Sequence, residues 1–330
     1  MLLAAVLSFG LVGVVRWDAL RRGLLDRPNE RSSHTRPTAR GGGLGLIAGL
    51  ALALLAHGGA ERALAEWPAV LAVLAVTLVA VVGWLDDHRG APVRLRLVIH
   101  VAAGMLMLPL ARAAGFGLPA EALGAPMVAL LACWWVLWTV SAVNVLNFVD
   151  GIDGIIGAQV LVYGAYLAFV GDAGGAARAF GFALAGASVG FLAWNWAPAR
   201  IFLGDAGSGA LGVLVVIGGL LALREGRVGF VAVYLPLTPM FLDATVTLLR
   251  RARRGERLSV AHRSHLYQRL ASAGNGHARV SSAYAVLSLG LGVAAVFAPR
   301  SGGLLLGGAL VALVLLGALV ERSAERFPPR

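Results

Sequence analysis

Long apolar runs, separated by short polar segments, recur from one end of this 330-residue chain to the other. A helix needs about 20 mostly apolar residues to cross the hydrocarbon core of a bilayer, and many of these runs reach or approach that length. Only 14% of the residues are charged, whereas soluble globular domains carry about a quarter. The sequence therefore predicts an all-α polytopic integral membrane protein, in which residues 1–330 form a single membrane domain.

The apolar runs predict eleven membrane spans, each placed to within a few residues: 1–20, 43–59, 67–85, 96–112, 126–146, 155–171, 177–194, 207–223, 228–249, 281–299 and 303–320. If consecutive spans cross in alternate directions, one side of the membrane receives the segments 21–42, 86–95, 147–154, 195–206 and 250–280. The net charge of +11 comes from arginine alone, and most of the 28 arginines fall on this side. Cytoplasmic loops carry such an excess, so we expect this side to be cytoplasmic, with the N-terminus outside and the C-terminus inside. The same excess explains the basic composition without a nucleic-acid partner.

The dense polar clusters all fall on the predicted cytoplasmic side, although hydropathy and arginine alone placed the segments. Ionisable side chains next to a bilayer are costly and usually line a pathway or a site. Because five separate clusters share one side, the sequence predicts that they form a single composite site. The clusters are Arg31 to Gly43, Asp86-Asp87, Asn144 to Gly154, Gly204 to Ser208 and His262 to Gln268.

Two adjacent carboxylates, Asp86 and Asp87, end the third predicted span. Such a pair suits a divalent metal, or one metal ligand beside one general base. A solvated helix end is the structural alternative. Negative charge at the C-terminal end of a helix opposes the helix dipole, so we expect a cation close to this pair.

A glycine-rich turn, Gly204-Asp205-Ala206-Gly207-Ser208, precedes the eighth predicted span. Glycines allow close approach of the backbone, and free amides at the start of a helix attract phosphate. Asp205 among them can hold the Mg²⁺ that a phosphate brings with it. A tight turn between helices is the structural alternative.

The longest predicted cytoplasmic segment contains His262-Arg263-Ser264-His265. Histidine and arginine together suit an anionic phosphate or a sugar nucleotide. A zinc site built on His262 and His265 would need further ligands that the segment does not offer. An earlier basic loop, Arg31 to Gly43, which contains Arg40, suits either a phosphate cradle or a solvated hinge. Asp243 lies inside a predicted span, where we favour a buried structural partner to an arginine over a catalytic role.

Four motifs occur in a fixed order along the chain: Asp86-Asp87, Asn144-x-x-Asn147-x-x-Asp150-Gly151-x-Asp153-Gly154, Gly204-Asp205-x-Gly207-Ser208, and the late histidine motif. In these motifs the chain resembles the polyprenyl-phosphate N-acetylhexosamine-1-phosphate transferases of glycosyltransferase family 4, above all the branch that initiates O-antigen synthesis. The resemblance implies a multi-pass enzyme of the bacterial inner membrane whose active site faces the cytoplasm. It implies transfer of a sugar 1-phosphate from a UDP-N-acetylamino sugar to undecaprenyl phosphate, with release of UMP. Mg²⁺ is the implied cofactor, with Mn²⁺ as a substitute, and a homodimer is expected by the same analogy.

The resemblance also implies roles for individual residues. Asp205 would hold Mg²⁺, and Asp86 would act as a base or orient the acceptor phosphate, with Asp87 supporting it or the metal. His265 is counted with these three as catalytic. The residues implied in substrate binding are Asn144, Asn147, Asp150, Asp153, Gly204, Ser208, His262, Arg263 and Arg40.

The late histidine motif departs from the common family pattern Asp-Arg-x-His-x-His-His. Only Arg263 and His265 match it, since Tyr267 and Gln268 stand in place of the later histidines. This form is most similar to enzymes that begin O-antigens with 6-deoxy sugars such as FucNAc or QuiNAc, so these sugars stand beside GlcNAc as expectations. The cell-wall precursor translocase that transfers phospho-MurNAc-pentapeptide is the alternative enzyme. A transporter of anionic solutes is the alternative from another class, and it would need polar residues through the spans and on both faces.

Overall fold

The computed structural model describes residues 1–28, 36–58, 66–116, 120–257, 260, 262–297 and 307, and most of them are helical. Within these residues, eight helical stretches are long and apolar enough to cross a membrane: Leu2–Arg22, Trp67–Arg89, Val93–Gly115, Gly124–Val149, Ala176–Asn195, Asp205–Arg224, Phe230–Arg253 and Leu266–Phe297. The prediction of an all-α polytopic membrane protein is therefore confirmed.

Two shorter apolar helices, Gly42–Ala56 and Ile155–Val170, stand where the sequence predicts the second and sixth spans. The predicted eleventh span, 303–320, lies outside the described residues except for residue 307. The number of eleven spans and the direction in which they cross therefore stay predictions.

The helices are numbered here in chain order. They are α1 (Leu2–Arg22), α2 (Gly42–Ala56), α3 (Trp67–Arg89), α4 (Val93–Leu106), α5 (Leu108–Ala111), α6 (Ala120–Val149), α7 (Ile155–Val170), α8 (Ala176–Asn195), α9 (Asp205–Arg224), α10 (Phe230–Tyr234), α11 (Thr238–Arg253), α12 (Leu266–Leu270) and α13 (Gly276–Phe297). Helix α3 continues through Asp86 and Asp87, and α6 continues through Asn147. The polar residues that the sequence assigns to loops at 86–95 and 147–154 therefore begin on helix ends.

Helix α9 lies at the centre of the bundle. In the most apolar stretch of α9, 83% of the residues are buried, whereas in that of α1, at the periphery of the bundle, 22% are buried. It packs against α3 and α6 over most of its length. Small residues allow this close packing between membrane helices. At Gly83 on α3, an added Cβ atom would lie 2.5 Å from the carbonyl oxygen of Asp205, so the two main chains are in direct contact.

Three very short strands, which the sequence does not predict, join distant parts of the chain. Strand β1 (Leu25–Asp26) pairs antiparallel with β2 (Thr38–Arg40), and β2 pairs parallel with β3 (Ile201–Phe202). The pairing places Arg40 opposite Phe202, shortly before the glycine-rich turn that starts α9. The little sheet therefore fixes the position of Arg40 relative to Asp205.

Candidate functional site

A cleft of about 360 Å³ lies between α3, α4, α6, α9 and α11. Its walls are largely apolar and include Val79, Val82, Leu97, Val143 and Leu248. Its polar lining consists of Arg96, His100, Asn144, Asn147, Asp205, His262 and His265. Four of the five predicted polar clusters thus contain residues that line this cleft or that hold its lining residues in place. The fifth cluster, the basic loop, is described only from residue 36 onward.

Asp87 caps the start of helix α9. Its Oδ1 accepts a hydrogen bond from the Asp205 amide at 3.0 Å, and its Oδ2 accepts one from the Ala206 amide at 3.2 Å. Its side chain is only 4% exposed, and Arg40 Nη1 lies 3.5 Å from its Oδ1. Gly204 must be glycine here, because φ is 80° and a Cβ atom would lie 2.7 Å from Asp87 Oδ2. The first amides of α9 are therefore not free for phosphate, contrary to the expectation from the sequence.

Replacing Asp87 with alanine should lower the free energy of unfolding by about 2 kcal/mol, because a helix cap is lost and two amides lose their partner. Replacing Asp87 with asparagine should cost about half as much, since its one side-chain oxygen can still accept from one of the two amides. Asp18→Ala is a matched control, because the exposed Asp18–Arg22 pair within α1 should contribute only about 0.5 kcal/mol. Denaturant unfolding in detergent, followed by tryptophan fluorescence, measures all three. Equal effects of Asp87→Ala and Asp18→Ala would contradict the capping role.

Asp86 has different partners from its neighbour. Its Oδ1 accepts a hydrogen bond from the Ala91 amide at 2.6 Å, and its Oδ2 accepts one from Arg96 Nη1 at 2.5 Å. The same Nη1 lies 3.6 Å from Asp205 Oδ2, so Arg96 stands between two carboxylates that belong to different helices. Arg96 and Arg40 supply the positive charge that the sequence requires near this helix end.

Asp205 presents a carboxylate to the cleft. Its side chain is 35% exposed, and its Oδ1 accepts a hydrogen bond from Asn147 Nδ2 at 3.0 Å. The same amide nitrogen donates to Ser208 Oγ at 3.0 Å. Ser208 itself is fully buried, so it orients Asn147 and does not face the cleft.

Arg40 is held by carboxylates of the protein itself. Its Nη2 donates to Asp26 Oδ2 at 2.9 Å, in addition to the Asp87 contact. Although burial opposes its charge, the nearby Asp26, Asp87 and Asp205 raise the pKa of Arg40. These ion pairs tie the small sheet to α3, and the role of Arg40 in substrate binding stays a prediction.

The carboxylates of Asp150 and Asp153 lie in different environments. Burial, with Asp205 nearby, raises the pKa of Asp150 to about 8, so this group is mostly protonated at pH 7. Asp153 accepts a hydrogen bond from the Ala199 amide at 3.0 Å, and its Oδ2 lies 3.3 Å from His277 Nδ1. Asp153 is not among the residues that line the cleft. Its observed contacts join two distant segments, whereas the sequence predicts substrate binding.

The late histidine motif borders the cleft through His262 and His265. The two rings stack with centroids 4.9 Å apart. Burial and the neighbouring His265 lower the pKa of His262 to about 4, so this ring is neutral at pH 7. Arg263 is exposed and is not among the lining residues. Ser264 Oγ lies 2.8 Å from His262 Nδ1.

Asp243 anchors the late histidine motif. Its Oδ1 accepts a hydrogen bond from the Leu266 amide at 2.8 Å, and its Oδ2 accepts one from the Tyr267 amide at 2.9 Å. The Tyr284 hydroxyl donates to the same Oδ2 at 2.6 Å, and His265 Nδ1 lies 3.3 Å from Oδ1. The expectation of a buried structural role agrees with these contacts, and the expected arginine partner stays a prediction.

Sequence reasoning missed Arg96 and His100, which both line the cleft from α4. The two residues are four positions apart, so they lie on the same face of a helix. That spacing within an otherwise apolar run is the signal that could have identified them. Arg96 was instead counted among the arginines of the predicted cytoplasmic side.

A divalent cation fits the donor set of the cleft. Within the described part of the chain, no three histidine, cysteine or acidic side chains are grouped to hold a metal. Mg²⁺ does not require such a cage, because it usually keeps several waters and binds one or two carboxylates together with substrate phosphates. Asp205, whose side chain is 35% exposed, is the candidate ligand that lines the cleft, and Asp86 on the other side of Arg96 is the further candidate.

Several known proteins are similar in sequence to this chain. A family model described as glycosyl transferase family 4 matches residues 69–222. The chain is 27% identical to the decaprenyl-phosphate N-acetylglucosaminephosphotransferase of Mycobacterium tuberculosis, over 99% of this chain and 87% of that protein. It is 26% identical to a Bacillus subtilis protein named as a probable undecaprenyl-phosphate N-acetylglucosaminyl 1-phosphate transferase, over 80% of this chain and 74% of that protein. A shorter match, 41% identical over 69 residues, is to the phospho-N-acetylmuramoyl-pentapeptide-transferase of Clavibacter michiganensis, and it covers 17% of this chain and 19% of that protein. The similarity to glycosyl transferase family 4 thus lies in the part of the chain that carries Asp86-Asp87, Asn144 to Gly154 and Gly204 to Ser208.

Proposed function

We propose that this protein transfers N-acetylglucosamine 1-phosphate from UDP-GlcNAc to undecaprenyl phosphate, forming undecaprenyl-diphospho-GlcNAc and UMP. The observation that carries the proposal is the Asp205 carboxylate, held by Asn147 in a cleft where polar side chains adjoin apolar walls formed by membrane helices. A substrate with a phosphate head and a long hydrocarbon tail matches both parts of such a cleft. The names of the similar proteins in Mycobacterium tuberculosis and Bacillus subtilis support the same reaction.

In the proposed reaction, an oxygen of the acceptor phosphate attacks the β-phosphorus of the UDP-sugar. A new P–O bond forms, the bond from the β-phosphorus to the bridging oxygen breaks, and UMP leaves with the electron pair. Such transfers depend mostly on positioning and on electrostatic stabilisation. Mg²⁺ would bind at Asp205 and neutralise charge on the diphosphate. Asn147 would orient the Asp205 carboxylate, and Arg96 would place positive charge between Asp86 and Asp205.

A strong general base is not required for this step. The second pKa of a phosphate monoester is about 6, so the acceptor is mostly a dianion at pH 7. We therefore propose direct attack, with Asp86 orienting Arg96 and the acceptor. The alternative is a two-step route through an aspartyl-phosphate, and it predicts UMP release without any lipid acceptor. Asp87 has both carboxylate oxygens bound to amides of α9, which favours a structural role over either chemical one.

We further propose that the cleft faces the cytoplasm of a bacterial inner membrane, because most of the arginines lie on the same predicted side as the polar clusters. The product would then begin an O-antigen or another envelope polysaccharide. UDP-GlcNAc is the first choice of donor because both long matches carry GlcNAc in their names. The 6-deoxy donors UDP-FucNAc and UDP-QuiNAc are tested beside it, because the late histidine motif matches the common pattern only at Arg263 and His265.

The experiment offers the purified, detergent-solubilised protein a panel of UDP-sugars together with undecaprenyl phosphate, and it measures UMP release and the lipid product. We expect UMP release that requires both the lipid acceptor and a divalent cation, with Mg²⁺ effective, Mn²⁺ able to replace it and EDTA abolishing it. UDP-MurNAc-pentapeptide serves as the competing donor for the cell-wall alternative. Failure of every UDP-N-acetylamino sugar would overturn the proposed function, and UMP release without lipid would overturn direct attack.

A further inference from the structure

His100 is a polar residue in an apolar part of the cleft, and the proposed chemistry does not use it. It lies on α4 one helical turn after Arg96, which places it about 6 Å further along the helix axis. It is only 9% exposed, and it lines the cleft beside Leu97 and Val143. A histidine inside a membrane helix is costly and is a functional candidate by default.

The contacts of Asn144 determine which nitrogen of His100 carries the proton. Asn144 Nδ2 lies 2.7 Å from the carbonyl oxygen of Val140, and only the amide nitrogen can donate to a carbonyl. The same Nδ2 lies 3.3 Å from His100 Nδ1. Because Nδ2 is a donor only, Nδ1 must accept, and the ring proton of the neutral histidine is on Nε2.

Within the residues that the structure describes, no protein group accepts a hydrogen bond from the Nε2–H group of His100. Among the contacts of the described residues, His100 is hydrogen-bonded only through Nδ1, and it lines the cleft. Because His100 lines the cleft, a ligand that supplies an acceptor at this point gains a hydrogen bond. An anionic oxygen is the strongest such acceptor.

We propose that His100 binds the phosphate head of the polyprenyl phosphate acceptor, donating Nε2–H to a phosphate oxygen, with Asn144 as its positioning residue. The inference rests on the proposed function and adds a contact that selects the acceptor. The acceptor phosphate must lie where the polar and apolar parts of the cleft meet, and His100 stands there between Arg96 and apolar side chains. The donor nucleotide lacks a hydrocarbon tail, so the apolar side of the cleft does not suit it.

The test compares His100→Leu and His100→Gln with the unmodified enzyme. We expect His100→Leu to raise the KM for undecaprenyl phosphate about tenfold, and to leave the KM for UDP-GlcNAc within about twofold, because one charge-assisted hydrogen bond is lost. His100→Gln keeps a donor amide and should recover most of the affinity. The matched control is His57→Gln, at an exposed histidine directly after α2. This variant should change neither the KM for undecaprenyl phosphate nor the KM for UDP-GlcNAc. Thermal unfolding of each variant separates lost binding from lost folding.

A binding measurement separates this inference from the proposed function. Binding of undecaprenyl phosphate and of undecaprenol is measured without any nucleotide, and His100→Leu should weaken only the phosphate-bearing lipid, by about tenfold. An unchanged affinity for undecaprenyl phosphate, or an equal rise in both KM values, would overturn the role of His100. A wild-type protein that binds the lipid phosphate through His100 but transfers no sugar would overturn the proposed function and leave this inference standing.

Discussion

Replacing Asp205 with asparagine should reduce turnover about a thousandfold at every Mg²⁺ concentration. Asparagine has the same size and can still accept the hydrogen bond from Asn147, so the surrounding contacts are preserved. What is lost is the negative charge that a divalent cation requires of its ligand. UMP release measured across a Mg²⁺ titration tests the expectation, because a weakened but intact cation site would recover at high Mg²⁺.

Asp172→Asn is the matched control for Asp205→Asn. Asp172 is an acidic residue outside the cleft, where it forms an ion pair with Arg227. We expect this variant to keep nearly normal turnover, since exposed ion pairs contribute little. Substantial activity of Asp205→Asn, or full recovery at high Mg²⁺, would remove Asp205 from the proposed cation site.

Replacing Asp243 with alanine should lower the free energy of unfolding by about 3–5 kcal/mol. Asp243 is only 5% exposed, and its carboxylate binds two backbone amides and the Tyr284 hydroxyl. Its removal leaves these donors buried without an acceptor, and each unpaired donor costs about 1–3 kcal/mol. We also expect turnover to fall, because His265 loses the contact that positions it beside the cleft. Denaturant unfolding and UMP release on the same preparation measure both effects.

Thr247→Val is the control for Asp243→Ala, because it removes a single contact of 3.3 Å to the same carboxylate. Thr247→Val should lower the free energy of unfolding by less than about 1.5 kcal/mol, and it should keep its activity. If Asp243→Ala were as stable as Thr247→Val, the network around the late histidine motif would not depend on Asp243. If Asp243→Ala were destabilised but its folded fraction were fully active, the function of His265 would not depend on its contact with Asp243.

Much of the fold follows from hydropathy, because a chain in a bilayer must satisfy its backbone within helices. The run that becomes Trp67–Arg89 is an example, since its apolar residues predict a span at 67–85. The exact end of a helix is harder to predict, because apolar residues mark where the hydrocarbon ends and not where the backbone hydrogen bonds end. For that reason hydropathy predicts a loop that begins at residue 86, whereas Asp86 and Asp87 still belong to α3.

The site was less predictable than the fold because its contacts join residues far apart in sequence. Asp86 pairs with Arg96, whereas Asp87 caps α9. This difference depends on the position of α9, which begins at Asp205. The strands that fix Arg40 are two or three residues long, too short to leave a periodic pattern. The pairing of Asp243 with the backbone after His265 likewise has no local signature, whereas the spacing of Arg96 and His100 does.

The direct contact between Gly83 and the start of α9 has a consequence for how the enzyme responds to its membrane. Helices adapt to a thicker or thinner bilayer by tilting, at a modest cost in free energy. Here the spacing between Asp86 and Asp205 is set where two main chains meet, at the end of α3 and the start of α9. Tilting about that contact changes the far ends of the two helices more than it changes the carboxylates. We therefore expect turnover to depend less on the acyl-chain length of the surrounding lipids than the stability of the bundle does, which UMP release and unfolding in bilayers of different thickness would measure.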